Sequence, residues 1–231
     1  MLKYPYITLV GLGHRARSGK DSVANILKNK FNNVKIIHWA DGVYEECTNE
    51  GGSLPLIRQT IRTETKTWYS LLCDKNNNVK VLSDKEVPYL HKIFIERDII
   101  EYQGMLKKDP EILQFWGTNF RREFFGKDYW VKRTFDKIEQ IAQEGFQGYI
   151  LIPDTRFKNE AIAIKEHGGY YIKVVRTNEN GSMYIAKDRD PNHSSEIDLE
   201  DFTADFTLTA INLYELYDEV SEFILKSQIF K

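Results

Sequence analysis

The stretch Ile7–Ser22, ITLVGLGHRARSGKDS, decides how the rest of the chain is read. Ile7 to Leu12 is an apolar run that reads as a strand, and it enters a loop rich in Gly and Arg. The loop ends in Ser18-Gly19-Lys20-Asp21-Ser22, and an amphipathic segment follows at once. Strand, glycine loop and helix N-terminus in that order make a phosphate cradle. Backbone N–H groups of the loop and of the first helical turn point at the anion, and the helix dipole adds to their pull. Lys20 supplies an ammonium for the β- and γ-phosphates, and a hydroxyl just after it reaches a phosphate or Mg²⁺. A bound polyphosphate is thus expected on Gly13, Arg15, Arg17, Ser18, Gly19, Lys20, Asp21 and Ser22, with Asp21 and Ser22 as the candidate metal contacts.

The match to G-x-x-x-x-G-K-[ST] departs in two places. His14 stands where the leading glycine belongs, with Gly13 one residue early, and Asp21 stands where Ser or Thr belongs, with Ser22 one later. An ordinary βα turn, with its glycines there for tight packing, is the competing reading. It leaves unexplained why Arg15, Arg17 and Lys20 crowd into a short loop with nothing anionic beside them.

Working outward, Val23, Ala24, Ile26, Leu27 and Phe31 fall at helical spacing, and Val34 to Ile37 is a second β-type run. Trp68 to Ser83 reads as two β-favouring runs around an Asn-rich turn, a hairpin that is either surface decoration or an insertion near the substrate. Asp109-Pro110-Glu111 reads as a helix start and Asp128 as another, the second helix carrying Val131, Phe135, Ile138 and Ala142 on one face. Tyr149 to Ile152 is a strand running into Pro153-Asp154-Thr155-Arg156. Phe157, Ala161 and Ile164 mark a helix stopped by Gly168-Gly169, and Tyr170 to Val175 is the next strand. Residues 177–201 are polar, a long loop or small lid. Phe206 to Leu208 and a helix through Leu213, Leu216, Val220 and Phe223, capped by Asn212 and Glu215, close the chain. Strands alternating with helices predict an α/β fold: a parallel sheet of about five strands covered on both faces. One domain over residues 1–231 is expected, with an insertion at about 41–108.

Composition narrows the function classes. With 231 residues, 42% hydrophobic and 29% charged, the chain is that of a globular protein with a sizeable core. A net charge of −2 argues against a nucleic-acid polymer as partner, so a bound anion should be small and local. Two cysteines without metal-type spacing fit a reducing cytoplasm, and no apolar run is long enough to span a membrane.

Ligands of open parallel sheets sit beyond the C-terminal ends of the strands. Asp154-x-Arg156, with Glu160 one helical turn on, falls at such an end. Asp154 is either a helix N-cap or a carboxylate near Mg²⁺ or the acceptor. Thr118, Arg121 and Arg122 either clamp a phosphate or form a solvated face paired with Glu123. Trp116 and Trp130 either stack on a base or fill core. Arg176, Lys187 and Arg189 are lid candidates, and Arg62 is a further candidate phosphate contact.

Taken together, ARSGKDS (Ala16–Ser22), WGTNFRR and FGKDYWV (within Trp116–Val131), PDTRFKNEA (Pro153–Ala161), HSSE (His193–Glu196) and the terminal strand and helix resemble the bacteriophage deoxynucleoside monophosphate kinases of the T4 and T5 type. The resemblance implies transfer of the γ-phosphoryl of ATP to a deoxynucleoside 5′-monophosphate (dNMP), with Mg²⁺, by a homodimer. It places Gly19, Lys20, Asp21 and Ser22 on ATP and Arg17 near the transferred group. Gly117, Thr118, Trp130, Asp154, Arg156 and Glu160 would surround the monophosphate. A kinase for another small acceptor, of the dephospho-coenzyme A kinase type, and a non-catalytic nucleotide-binding module are the other readings.

Overall fold

The run that opens at Ile7 forms the strand β1 (Ile7–Gly13), and in the computed structural model it is the central strand of a five-stranded sheet. The structure describes residues 4–48, 56–62, 68–73, 79–82, 115–187 and 191–230. Along the chain, β1 is followed by α1 (Lys20–Lys30), β2 (Val34–Ile36), α2 (Asp41–Thr48), β3 (Leu56–Arg62), β4 (Trp68–Cys73) and β5 (Val79–Leu82). A π-helical segment, Phe115–Arg122, then leads into α3 (Glu123–Phe125) and α4 (Tyr129–Gln143). Next come β6 (Gly148–Thr155), α5 (Lys158–Glu166), β7 (Tyr170–Arg176), α6 (Ser194–Ile197), β8 (Phe206–Ala210) and α7 (Leu213–Ser227). The chain divides into two compact units, Met1–Trp39 with Val131–Lys231, and Ala40–Trp130.

The first unit holds the sheet, in the order β2-β6-β1-β7-β8, with every neighbouring pair parallel. The expected α/β fold is what is found. Side chains alternate across the sheet as strand geometry demands. Val10, Leu12, Leu151, Ile172 and Val174 face α1 and α7, where Val23, Leu27, Leu216, Val220 and Phe223 cover them. Leu9, Ile150 and Ile152 face the other way, against Phe135, Ile138 and Ile141 of α4 and Ala163 and Ile164 of α5. Each fully buried Leu or Ile contributes about 1.5–3 kcal/mol, so the two layers fix the register of the strands that carry the site.

Connections decide where a ligand sits. The chain leaves β1 toward β2 at one edge of the sheet, and leaves β6 toward β7 on the opposite side of β1. β1 and β6 are neighbours whose crossovers diverge, so a crevice opens at their C-terminal ends. Gly13 ends one strand and Thr155 the other, which puts Ile7–Ser22 and the Asp154-Arg156 pair at the same crevice.

The described residues of the polar stretch after β7 make contacts of their own. Thr177 and Met183 form an antiparallel bridge. Further on, the backbone N–H of Lys158 donates to Asp198 Oδ2 at 2.7 Å, and Lys158 Nζ pairs with Asp201. The terminal helix is capped by Asn212, as its sequence predicts: Asn212 accepts from the N–H groups of Tyr214 and Glu215, whereas Glu215 reaches the N–H of Ile211 and not that of Asn212 as a capping box would.

In the second unit β3, β4 and β5 make an antiparallel sheet, so the predicted hairpin is present as β4–β5 and gains a third strand. This unit spans Ala40–Trp130. The helix start at Asp109, the Arg62 side chain and Arg189 lie outside the described residues. Among the described residues no helix is long and apolar enough to cross a membrane.

Candidate functional site

The loop between β1 and α1 is bent by three residues with positive φ: His14 (108°), Arg17 (56°) and Gly19 (100°). Such turns align backbone N–H groups into a concave nest for an anion. Gly19 is also the N-cap of α1, which therefore begins with no side-chain cap on its first turn. A side chain at Gly13 would have its Cβ 2.8 Å from the Thr155 carbonyl oxygen, so only glycine lets the loop leave the sheet there. His14 takes up a backbone conformation that favours glycine. A residue with a side chain held at that φ stores roughly 1–3 kcal/mol of strain, which the surrounding contacts must offset.

Lys20 folds back under the loop. Its ammonium donates to the carbonyl oxygens of His14 (3.1 Å) and Arg15 and to Ser18 Oγ (3.2 Å). Only 5% of the residue is exposed. Burial, followed by the positive charge of Arg156, pushes its pKa down to about 7, against partial opposition from Glu196, Asp21 and Asp154. A buried ammonium with a depressed pKa is a charge that an anion bound beside it would stabilise. Burial, then Lys173, Lys20 and Arg15, likewise lower the His14 imidazole to about 4, so it is neutral at pH 7.

The β6 end supplies the second half. Arg156 has its backbone N–H on Glu160 Oε2 (2.8 Å), and its Nη1 donates to Glu196 Oε1 (2.7 Å). Glu160 also accepts from the Phe157 N–H, closing the first turn of α5. Glu160 thus braces the backbone that carries Arg156. Asp154 Oδ1 accepts from the backbone N–H of Trp39 (3.0 Å), and the Trp39 indole donates to Thr155 Oγ1, tying β6 to the chain after β2.

Arg17, Ser18, Asp21 and Ser22 line one wall of a cleft of about 610 Å³. Its other wall comes from Arg176 and the β8–α7 turn, including Asn212, Leu213 and Tyr214. Leu213 and Tyr214 are exposed, and the Arg176 guanidinium stacks on Tyr184 at 4.2 Å. The cleft is large enough for the nucleoside end of a nucleotide whose phosphates lie in the nest.

The remaining predicted residues fall differently. Arg15 turns away from the nest: Nη1 donates to the Pro191 carbonyl oxygen (3.1 Å), and Nη2 pairs with Glu200. The described members of the Gly117–Arg122 group and Trp130 belong to the second unit. There Arg121 is buried rather than on a solvated face. It pairs through Nε with Glu46 (2.8 Å) and lies within about 5 Å of the ring centres of Trp116, Phe125 and Tyr129. Glu46 also accepts from the Trp116 indole and the Tyr129 hydroxyl. Trp130 is 3% exposed, and its indole donates to the Gly117 carbonyl oxygen (2.7 Å). Arg122 is buried and Thr118 partly so.

Sequence reasoning missed Glu46, Trp39 and above all Glu196, whose two carboxylate oxygens reach the Ala16 N–H (2.8 Å) and Arg156. Glu196 sits in a polar run with no apolar period to announce burial. Its only signal is its place in HSSE. Comparison of the chain with protein-family models gives no match, and comparison with curated proteins gives none either.

Proposed function

We propose that this protein is a phosphotransferase that moves the γ-phosphoryl of ATP onto a dNMP, giving the diphosphate and ADP. The observation that carries the reading is the buried Lys20 ammonium beneath a loop bent at His14, Arg17 and Gly19, with Arg156 close enough to add to the lowering of its pKa by burial. That geometry suits a multiply charged phosphate and little else of that size. The choice of a deoxynucleotide as acceptor, and with it Gly117, Thr118 and Trp130 as acceptor contacts, comes from the motifs in Trp116–Val131 and Pro153–Ala161.

In-line phosphoryl transfer asks for positioning and charge neutralisation. Lys20 and Arg17 would neutralise charge on the oxygens of the transferred group. Arg156, whose charge reaches Lys20, would bridge the anion held there and the acceptor phosphate and so hold the two in line, and Asp154 would fix the strand end that presents it. The acceptor oxygen is already ionised, so no strong general base is needed. Asp21 and Ser22 are the residues that would hold Mg²⁺, since both line the cleft and offer hard oxygen donors to an ion that keeps most of its ligands as water and phosphate. When bound, that ion supplies charge neutralisation across the β- and γ-phosphates.

The test is a product assay of the purified protein with ATP, Mg²⁺ and each of dAMP, dCMP, dGMP and dTMP. ADP and a deoxynucleoside diphosphate are expected with at least one. Transfer only to dephospho-coenzyme A would reassign the acceptor. ATP binding with no transfer to any acceptor would leave a nucleotide-binding module.

A further inference from the structure

Glu196 is a buried carboxylate in a site built for anions. A negative charge there repels the phosphates, so it should persist only if it holds something in place. Its side chain is 4% exposed, and its two oxygens are spent on two different parts of the site. Oε2 accepts from the Ala16 backbone N–H at 2.8 Å, in the middle of the phosphate loop. Oε1 accepts from Arg156 Nη1 at 2.7 Å, on the chain leaving β6. The segment carrying Glu196 is anchored around it. Arg15 holds Pro191 and Glu200, and Asp198 accepts from the Lys158 N–H.

Arg156 shows what the arrangement does. A guanidinium has five donors in a rigid plane, and one fork of it matches a phosphate with two parallel hydrogen bonds. Glu196 takes Nη1. Nε and Nη2 have no hydrogen-bond partner among the described residues, and the side chain remains 27% exposed. The bidentate edge is therefore left open while the opposite corner is fixed. The same carboxylate fixes the loop against which that edge must be aligned.

We infer that Glu196 is a positioning residue: it locks the Arg156 guanidinium to the phosphate loop so that its open edge meets an anion held on Lys20. This rests on the phosphate-binding part of the proposed function and adds a residue to it. Glu196→Gln is the same size. Its amide has one oxygen for two donors and turns an NH₂ toward one of them, so the link is cut without opening a cavity.

The experiment is a double-mutant cycle on wild type, Glu196→Gln, Arg156→Ala and the double variant, read in two ways. Tripolyphosphate affinity by calorimetry needs no acceptor. Each single change is expected to weaken it about tenfold, the loss of one charge-assisted contact. The double variant should be no weaker than Arg156→Ala. In the transfer assay Glu196→Gln should lower kcat about 100-fold, as a misplacement of about 1 Å does. It should do nothing further once Arg156 is gone. Independent, multiplying losses in the affinity cycle would overturn the inference, because a residue that only stabilises the loop acts whether or not Arg156 is present. If wild type transfers to no dNMP while the affinities still show this coupling, the proposed function fails and the positioning role stands. Should Glu196→Gln not fold, Arg156→Lys decides. It can still pair with Glu196 but has no second edge, so wild-type tripolyphosphate affinity in that variant would equally overturn the inference.

Discussion

The buried ammonium of Lys20 makes folding and anion binding depend on pH in a direction that can be worked out. In the unfolded chain a lysine titrates near its ordinary 10.5, and in the fold Lys20 titrates at about 7. At about 1.4 kcal/mol per pH unit, the gap between the two is about 5 kcal/mol. Because the folded value is the lower one, the unfolded chain holds the extra proton between them. Stability therefore rises as pH climbs from about 7 to about 10.5, and below about 7 the full penalty is present. Lys20→Met deletes the titrating group and leaves two loop carbonyls without its ammonium, a loss that does not depend on pH. The quantity to follow is the difference in urea-unfolding free energy between wild type and Lys20→Met from pH 6 to pH 10. Wild type should gain on the variant by several kcal/mol, with most of the slope above pH 7. Bound triphosphate returns the proton, since its negative charge replaces what burial took away. At pH 8 ATP binding should thus take up close to one proton, measurable by calorimetry in buffers of different ionisation enthalpy. A stability difference flat with pH, together with no proton uptake, would refute the placement of the ammonium beneath the loop.

Other substitutions probe the surroundings. His14→Gly relieves a backbone φ of 108°, so its urea midpoint at pH 7 should stay within about 1 kcal/mol of wild type despite the lost ring; His14→Val should lose about 2 kcal/mol or more, and the reverse order would contradict the strain. His14 titrates at about 4 in the fold against 6.5 unfolded, so wild type should lose stability from pH 6.5 down to 4, and His14→Gly should lose measurably less. Tyr171 buries a hydroxyl that finds no partner among the described residues, and burial raises its pKa, so Tyr171→Phe should raise the thermal midpoint, by about 1 kcal/mol in stability; a drop would show that the hydroxyl is satisfied. Glu46→Ala removes the buried carboxylate shared by Arg121, Trp116 and Tyr129 and should cost about 3–5 kcal/mol by chemical denaturation, whereas a surface pair would cost under about 1.

How far the sequence could be read follows from what each signal measures. Periodicity reports which faces are apolar. That sufficed for β1, β6 and β7, for the helices after the loop and after Asp154, and for the Asn212 cap, because each of these is decided within a few residues of itself. It sufficed as well for the hairpin at Trp68, whose third strand β3 carried no comparable pattern. The strand, the loop and the helix around His14 were legible, since their order does not depend on the residue at one loop position. The φ of 108° at that position was not, because only the packed loop shows that the histidine adopts a glycine's conformation.

The local chain thus determined an α/β sheet with a Gly- and Arg-rich loop between its first strand and first helix. Tertiary structure decided which charges meet. Glu196 and Arg156 are 40 residues apart, and Glu196 and Ala16 are 180 apart. Spacing over such distances carries no information until the crossovers bring β1 and β6 side by side. The same reason separates two arginines that look alike in sequence: Arg15 is drawn to Glu200 by a segment docked from far along the chain, and Arg156 is turned by Glu196 toward the loop. Burial made Lys20 a cation that titrates near neutrality, and burial belongs to the fold as a whole.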